Sequence, residues 1–166
     1  MQATALNKIE PSPQNDNVHF LQDDNVRQIL TTTVGNQIFG MKVLSVQDIL
    51  RPRHVAHVPQ APADVAGLIN LRGRIVTVVD LRHWLGFEPV NPSEQMHIVV
   101  EHEGELCSFL VDSVGDVVPL ANEDTDAVPP NLPEQWRSIA SDVVRYENDL
   151  ILIIDASVLL TTLASN

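Results

Sequence analysis

The sequence predicts an all-β fold made of two small related subdomains, arranged as barrels or a sandwich with a few short helices. Three observations support this prediction. Short apolar or alternating segments are separated by turn signals, little of the chain has helical periodicity, and the pattern of the first half recurs in the second. A chain of 166 residues is also long enough to bury about 70% of its unfolded surface.

The chain divides into a polar N-terminal end and a β-rich remainder. Residues 1–19 hold two prolines and few apolar residues, so we expect a flexible tail there. Residues 20–166 are expected to form one domain, with subdomains over about 20–92 and about 93–166.

Turn residues predict the strands of the first half. Gly35 and Asn36 tolerate positive φ and separate apolar segments at 28–34 and 37–43, which predicts a tight hairpin. Prolines interrupt residues 51–62, so this segment is expected to be irregular or extended.

A second hairpin and a short helix follow. Strands predicted at 67–71 and 74–79 turn at residues 72–73, and Asp80 is expected to cap a helix that ends at Gly86. The second of these strands is apolar on both faces, which predicts a core strand between the two subdomains.

The second half of the chain repeats the order of the first. Its predicted elements are a hairpin of 96–101 and 105–111 around residues 103–104, a hairpin of 143–147 and 150–154 around residues 148–149, and a helix after Asp155. The segments that align are 35–36 with 103–104 and 46–49 with 114–117 at an offset of 68, 58–59 with 128–129 at 70, and 75–80 with 150–155 at 75. Four matches in the same order favour two related subdomains.

Composition limits the classes of function. The net charge of −12 repels nucleic-acid phosphates and anionic lipids, so neither nucleic acid nor direct membrane insertion is expected. The first 20 residues lack the apolar core of a signal peptide, and Cys107, the single cysteine, fits a reducing compartment. We therefore expect a soluble cytoplasmic protein.

The sequence contains no pattern that predicts catalysis. His54 and His57 are three residues apart, but the prolines beside them oppose the helix that a zinc site of this spacing needs. Cys107 is expected to be a structural thiol on one face of a strand with Phe109 and Val111. An enzyme, a metal site and a cofactor are therefore not expected.

Several glycine and polar residues lie at positions where they would weaken the predicted β-strands. Gly67 and Gly73 flank a predicted strand, where glycine often marks a bulge or a close backbone approach. Arg72 lies at a turn among apolar residues, and Asp48 lies between two apolar residues. Together they predict one partner-binding surface, on which the glycine would let a partner helix approach closely.

These segments resemble the CheW family of chemotaxis coupling proteins. The matching motifs are Val46-x-acidic-Ile49, Val58-Pro59, Gly67-x-x-Asn-Leu-Arg-Gly73, Val78-Val-Asp-Leu81, Val111-Asp112…Val114 and Ile-Ile-Asp155…Leu159-Leu160. The resemblance covers about residues 20–163. It implies two intertwined five-stranded SH3-like β-barrels with short helices, acting as a scaffold without catalytic activity.

The resemblance also implies partners and site residues. Such proteins bridge the cytoplasmic tips of methyl-accepting chemoreceptors to the regulatory domain of the histidine kinase CheA, and they meet other CheW copies in arrays on the inner face of the membrane. Matching positions assign receptor binding to Val46, Asp48, Gly67, Asn70 and Arg72. The family's acidic residue is usually Glu and pairs with the arginine, so Asp48 is one methylene shorter than expected.

Kinase binding is assigned, again by resemblance, to Val111, Val114 and Val117. Asp142 departs from the family, because many members carry glycine before the last hairpin. The same residues fit a CheW-like adaptor of a pilus-motility or biofilm-signalling array. A small ligand-binding or hydrolytic β-barrel is the alternative from another class.

Overall fold

The strands and helices follow the turn signals of the sequence. A computed structural model describes residues 26–164, and the tail expected at residues 1–19 lies outside the described residues. The strands are β1 (Val26–Val34), β2 (Gln37–Lys42), β3 (Val46–Leu50), β4 (Val65–Leu71), β5 (Arg74–Asp80), β6 (Met96–His102), β7 (Glu105–Val111), β8 (Ser113–Ala121), β9 (Thr125–Asp126), β10 (Ala140–Tyr146) and β11 (Asp149–Ile154). The helices are α1 (Leu81–Leu85), α2 (Glu134–Ile139) and α3 (Ala156–Ala164). The prediction of an all-β fold with short helices is confirmed.

The strands form two mixed sheets, and each sheet combines strands from both halves of the sequence. The six-stranded sheet has the order β8-β1-β2-β11-β10-β9, and the five-stranded sheet has the order β3-β6-β7-β5-β4. The first hairpin, β1–β2, therefore lies in the sheet that is otherwise built from the second half of the chain. This exchange intertwines the two halves, as predicted.

The two sheets repeat one another in register. β2 pairs in parallel with β11 through Phe39 and Leu152, and β7 pairs in parallel with β5 through Cys107 and Thr77. The sequence offset of 68 carries Phe39 onto Cys107, and the offset of 75 carries Thr77 onto Leu152. The repeat found in the sequence is therefore a repeat of strand pairing.

One predicted turn is displaced by one residue. The last hairpin turns at Glu147 and Asn148, because Tyr146 pairs with Asp149, whereas the prediction placed the turn one residue later. Glu147 has a φ of 53°, the same as Arg72, its equivalent at the offset of 75. The turn therefore lies at the position that is equivalent to Arg72 and Gly73 in the first half. It does not lie at Asn148 and Asp149, although Asn and Asp are common turn residues.

Aspartates begin two helices, as predicted. Asp80 Oδ1 accepts hydrogen bonds from the backbone N–H groups of Arg82 and His83, and α1 ends at Gly86 with a φ of 78°. Asp155 caps α3 in the same way. Both helices begin directly after the second strand of a hairpin. At each capping aspartate the chain therefore leaves a sheet and enters a helix that packs against the central core.

Three elements were not predicted. β8 contains Gly115 and Pro119, which weaken its strand pattern, but β8 is an edge strand and can hold a proline there. α2 follows Pro133 and is only six residues long, too short to give a helical period. The short β9 is likewise an addition to the five strands predicted for each barrel.

The buried side chains form a central core and two smaller ones. The central core takes side chains from both sheets, including Phe39 and Phe109, and from the three helices. Val79 of β5 packs into this central core, whereas Val76 and Val78 belong to the core of the five-stranded sheet. β5 is therefore buried on both faces at Val78 and Val79, whereas Ile75 near its start is 71% exposed, so the predicted core strand is confirmed only for its second half.

Candidate binding rim

An ion pair joins the two edges of the five-stranded sheet. Arg72 Nη2 lies 3.1 Å from Asp48 Oδ2; Asp48 belongs to β3, and Arg72 directly follows β4. Because β3 and β4 are the edge strands, the sheet curls until its edges meet. The Arg72 side chain is 80% exposed, whereas that of Asp48 is 27% exposed. The shorter aspartate therefore reaches the arginine, and the pairing implied by the resemblance is present.

The turn that carries Arg72 is fixed by its neighbours. Arg72 and Gly73 have φ values of 53° and 82°, as a two-residue hairpin turn requires. Asn70 Oδ1 accepts a hydrogen bond from the Gly73 N–H at 3.0 Å. On the other side of the pair, Asp48 Oδ1 accepts a hydrogen bond from the Ile49 N–H at 2.9 Å. The backbone turn that carries Arg72 and the Asp48 carboxylate are thus held in place before any partner arrives.

The ion pair borders a shallow groove of about 150 Å³. The side chains that line the groove include Asp48, Leu71, Arg72, Arg74, Val99, Glu101 and Leu106. Sites for small molecules are usually larger, at about 300–1,000 Å³. This groove therefore suits one or two side chains of a protein partner better than a metabolite. Sequence reasoning missed Arg74 and Glu101, because neither the pairing of β6 with β3 nor the curling that brings the start of β5 to this edge can be seen in the sequence.

Gly67 lies at a bulge of β4 and faces the protein's own chain. The pairing of β4 with β5 shifts register between Val65 and Gly67, and Gly67 has a φ of 151°. A Cβ atom at this position would lie 2.1 Å from the carbonyl oxygen of Ala56 in the segment 51–62. Ala56 also exchanges two backbone hydrogen bonds of 2.9 Å with Leu68. The expectation that this glycine leaves room for a partner helix is wrong, because Ala56 occupies that room.

Val46 lies apart from the ion pair. Its side chain is half-buried against the central core, and a register shift in β3 separates it from Asp48. Nearby in the chain, Leu44 is 91% exposed and Ile49 is 40% exposed. Of the residues assigned to receptor binding, those that meet at the groove or its turn are Asp48, Asn70 and Arg72. Gly67 and Val46 have other neighbours. We call the groove, its ion pair and the exposed side chains of Leu44 and Ile49 the rim.

Comparison with known proteins places this chain in a family. Residues 28–164 match the family model described as a CheW-like domain. The chain belongs to the CheW-like family. The chemotaxis protein CheW of Rhizobium meliloti (strain 1021) is 29% identical over 130 residues, which is 78% of this chain and 84% of that protein. The chemotaxis protein CheW of Helicobacter pylori is 27% identical over 116 residues, which is 68% of this chain and 70% of that protein.

A solved structure has the same fold. The crystal structure of the scaffolding protein TtCheW from Thermoanaerobacter tengcongensis aligns with a TM-score of 0.72 at 23% identity. The alignment covers 80% of this chain and 91% of that protein. The resemblance identified from the sequence motifs is thereby confirmed, both for the family and for the SH3-like all-β fold.

The valines assigned to kinase binding differ in exposure within this CheW-like domain. Val111 is fully buried in the central core, so its assignment to a partner contact is wrong: at the end of β7 its side chain points inward. Val114 is half-buried against the same core, and Val117 is 44% exposed on the edge strand β8. Val117 is the equivalent of Ile49 at the offset of 68, so each sheet exposes an apolar side chain at the same place.

A polar network that sequence reasoning missed secures the CheW-like fold. Arg82 donates two hydrogen bonds to the Asp112 carboxylate, at 2.9 and 2.8 Å, and Gly35 and Gln95 donate two more. Burial alone would raise the pKa of Asp112, but these hydrogen bonds outweigh it and lower the pKa below its ordinary value. Asp112 therefore ties α1 to the first hairpin turn. Its place in the family motif is explained by this structural role.

Asp142, the departure from the family pattern, has a structural explanation. Its Oδ2 atom lies 3.0 Å from Arg27 Nη1. Asp142 is the equivalent of Gly67 at the offset of 75, and both follow the same bulge, which in β10 lies between Ala140 and Asp142. At this position the first half of the chain has a glycine that packs against the backbone of Ala56. The second half has an aspartate, and its carboxylate forms an ion pair with Arg27 of β1.

His97 and Cys107 of the CheW-like domain do not line the groove. His97 is fully buried with its Nδ1 atom 2.8 Å from Ser108 Oγ, and burial lowers its pKa to about 4. Burial also raises the pKa of the Cys107 thiol. Among residues 26–164, no three His, Cys, Asp or Glu side chains are grouped to hold a metal ion. In the same range, no helix has the length and apolar character to cross a membrane.

Proposed function

We propose that this chain is a chemotaxis adaptor that couples chemoreceptor cytoplasmic tips to the regulatory domain of the histidine kinase CheA. The observation that carries this proposal is the match of residues 28–164 to the CheW-like domain. Relatives that align over most of their length are named chemotaxis protein CheW. The proposal places the protein in the cytoplasm, in receptor arrays at the inner face of the membrane, and it requires neither a cofactor nor a catalytic step.

The rim is the surface that we assign to the receptor. Arg72 and Asp48 form a positioned ion pair, and Leu44 and Ile49 expose apolar surface close by in the chain. A helical hairpin can use both features, because its apolar face covers the exposed side chains and its polar groups meet the ion pair. Asn70 contributes by fixing the turn of Arg72, and Gly67 contributes by seating the segment beside β4.

The edge strand β8 is the surface that we assign to the kinase. Val117 is exposed there, and Val114 packs beneath the same strand against the central core. β8 and the rim strand β3 lie at the edges of different sheets. The assignment therefore allows one copy of the protein to hold a receptor and a kinase at the same time, as an adaptor must.

A binding experiment tests the receptor surface. The full chain is incubated with a chemoreceptor cytoplasmic fragment from the same organism, and the retained fraction is measured by co-purification. We expect Arg72→Ala to weaken retention about tenfold, as loss of an interface anchor does. Arg145→Ala removes an exposed arginine from the other sheet and is expected to leave retention unchanged. Equal retention of the two variants would remove the rim from the proposal.

A further inference from the structure

The two sheets differ at one end of their smaller cores. In each sheet the last residue of a strand packs on this core: Leu71 of β4 in the five-stranded sheet and Tyr146 of β10 in the six-stranded sheet. These residues are equivalent at the offset of 75, and each pairs with the first residue of the next strand. The repeat therefore places a leucine and a tyrosine at the same point of the fold.

The ring of Tyr146 lies at the place that corresponds to the groove of the rim. Burial raises the pKa of Tyr146, and the nearby carboxylates of Glu147 and Asp116 raise it further. Asp116 is the equivalent of Asp48 at the offset of 68, and Glu147 is the equivalent of Arg72 at the offset of 75. The phenol therefore lies beside the equivalents of the two residues whose ion pair borders the groove. In the five-stranded sheet the shorter leucine leaves this place open.

The groove has room for one aromatic ring. Its volume is about 150 Å³. An apolar cavity of about 150 Å³ in another protein is large enough to bind benzene. The apolar side chains that line the groove are those of Leu71, Val99 and Leu106. A ring that enters the groove would therefore meet apolar surface, as the ring of Tyr146 does on the core of the six-stranded sheet.

Two arginines distinguish the groove from its counterpart. Arg72 and Arg74 line the groove, and both are exposed. The equivalent positions of the six-stranded sheet carry Glu147 and Asp149. Arg74 Nη2 donates a hydrogen bond of 3.0 Å to the carbonyl oxygen of Gly104, which holds the guanidinium in place. Because a guanidinium is attracted to the face of an aromatic ring, the groove favours a ring over an aliphatic side chain of similar size.

We propose that the groove receives an aromatic side chain of the receptor hairpin, as the ring of Tyr146 fills the corresponding place within the chain itself. The inference rests on the proposed function, because it takes the receptor as the partner that supplies the ring. It goes further by naming the chemistry of the side chain and by making Arg74 a specificity-determining residue beside the ion pair. Aromatic side chains are frequent anchors of protein interfaces, because a rigid ring buries much apolar area in a small pocket.

A titration with single amino-acid derivatives tests the groove without a receptor. Amide NMR shifts of the isotope-labelled full chain are followed as N-acetyl-tyrosinamide or N-acetyl-leucinamide is added. We expect the tyrosine derivative to bind with a dissociation constant on the order of 1 mM, roughly threefold more tightly than the leucine derivative, and to shift the amides of Arg72, Arg74 and Leu106. Arg74→Ala is expected to remove this preference. Equal binding of the two derivatives, or shifts only outside the groove, would overturn the proposal.

Filling the groove from within tests whether the receptor uses it. Leu71→Tyr introduces the residue that its equivalent has, and we expect it to weaken retention of the chemoreceptor cytoplasmic fragment about tenfold. Leu150→Tyr adds a ring at an exposed position of the other sheet and is expected to leave retention unchanged. Urea unfolding checks that both variants fold. If Leu71→Tyr does not fold, Arg74→Ala, at an exposed position, replaces it with an expected weakening of roughly threefold.

The two measurements separate this inference from the proposed function. Equal retention of the receptor fragment by the unaltered chain and by the folded groove variant would overturn the inference and leave the proposed function intact. No retention by the unaltered chain would contradict both the proposed function and the receptor as the source of the ring. In that case the titration alone still decides whether the groove takes an aromatic side chain.

Discussion

Replacing Gly67 with alanine tests how the segment at residues 51–62 is held beside β4. The added Cβ would lie 2.1 Å from the Ala56 carbonyl oxygen and 2.9 Å from Val55 Cγ1. Neither neighbour is the free end of a flexible side chain, so the segment has to move. The movement breaks the two backbone hydrogen bonds between Ala56 and Leu68.

The magnitude follows from two costs. A non-glycine residue held at a φ of 151° costs about 1–3 kcal/mol. The two lost hydrogen bonds add about 1 kcal/mol each. We therefore expect Gly67→Ala to lower the free energy of unfolding by about 4 kcal/mol, a large fraction of the stability of a domain of this size.

The matched control is Gly104→Ala. Gly104 has a φ of 81°, but a Cβ there would meet nothing within 4 Å, so we expect only the backbone cost of about 1–2 kcal/mol. Urea unfolding followed by circular dichroism measures both variants. Losses that agree within about 0.5 kcal/mol would refute the collision with Ala56. If Gly67→Ala instead shows the larger loss, a Gly67 substitution that weakens receptor binding is explained by displacement of the segment at residues 51–62 and not by a blocked groove.

Three further predictions concern the charged and titratable groups. In a double-mutant cycle, Arg72→Ala and Asp48→Ala are expected to couple by at most about 1 kcal/mol in urea unfolding, because the pair is exposed; a coupling above about 2 kcal/mol would contradict this. Arg82→Met leaves the Asp112 carboxylate partly buried without its cation, so we expect a loss of about 3 kcal/mol, and an unchanged unfolding midpoint would contradict the network. His97 has its pKa lowered to about 4, so between that pH and about 6.5 the unfolded chain binds more protons and stability falls with falling pH, by up to about 3 kcal/mol. His97→Gln is expected to flatten the pH dependence between about 5 and 6.5, and a slope equal to that of the unaltered chain would exclude His97 as its source.

Much of the fold could be predicted from local signals. Turn residues located the hairpins because positive φ restricts the residue types that fit, as at Gly35 and Gly73. The internal repeat indicated two related units, and it would also have corrected the last turn to Glu147 and Asn148. β8 was missed because Gly115 and Pro119 obscure its pattern, while its place at a sheet edge, which tolerates both, is a property of the tertiary structure.

The candidate site was predictable only in part. The pairing of Asp48 with Arg72 was anticipated by the family resemblance, and the structure confirms it. The neighbour of Gly67 could not be predicted, because Ala56 reaches it through an irregular segment that carries no periodic signal. Val111 was misassigned for a related reason. The sequence pattern of an apolar residue at the end of a strand is the same whether its side chain contacts a partner or, as here, the core.

The proposed function requires that this CheW-like protein make a kinase responsive to a receptor. Its most direct test is the rate of autophosphorylation of CheA, reconstituted with chemoreceptor cytoplasmic fragments clustered on vesicles, with and without the full chain. We expect kinase activity to rise only when all three components are present, and we expect Arg72→Ala to lower this activation while Arg145→Ala does not. Kinase activity that is the same with and without the chain, in the presence of clustered receptor, would contradict the proposed function.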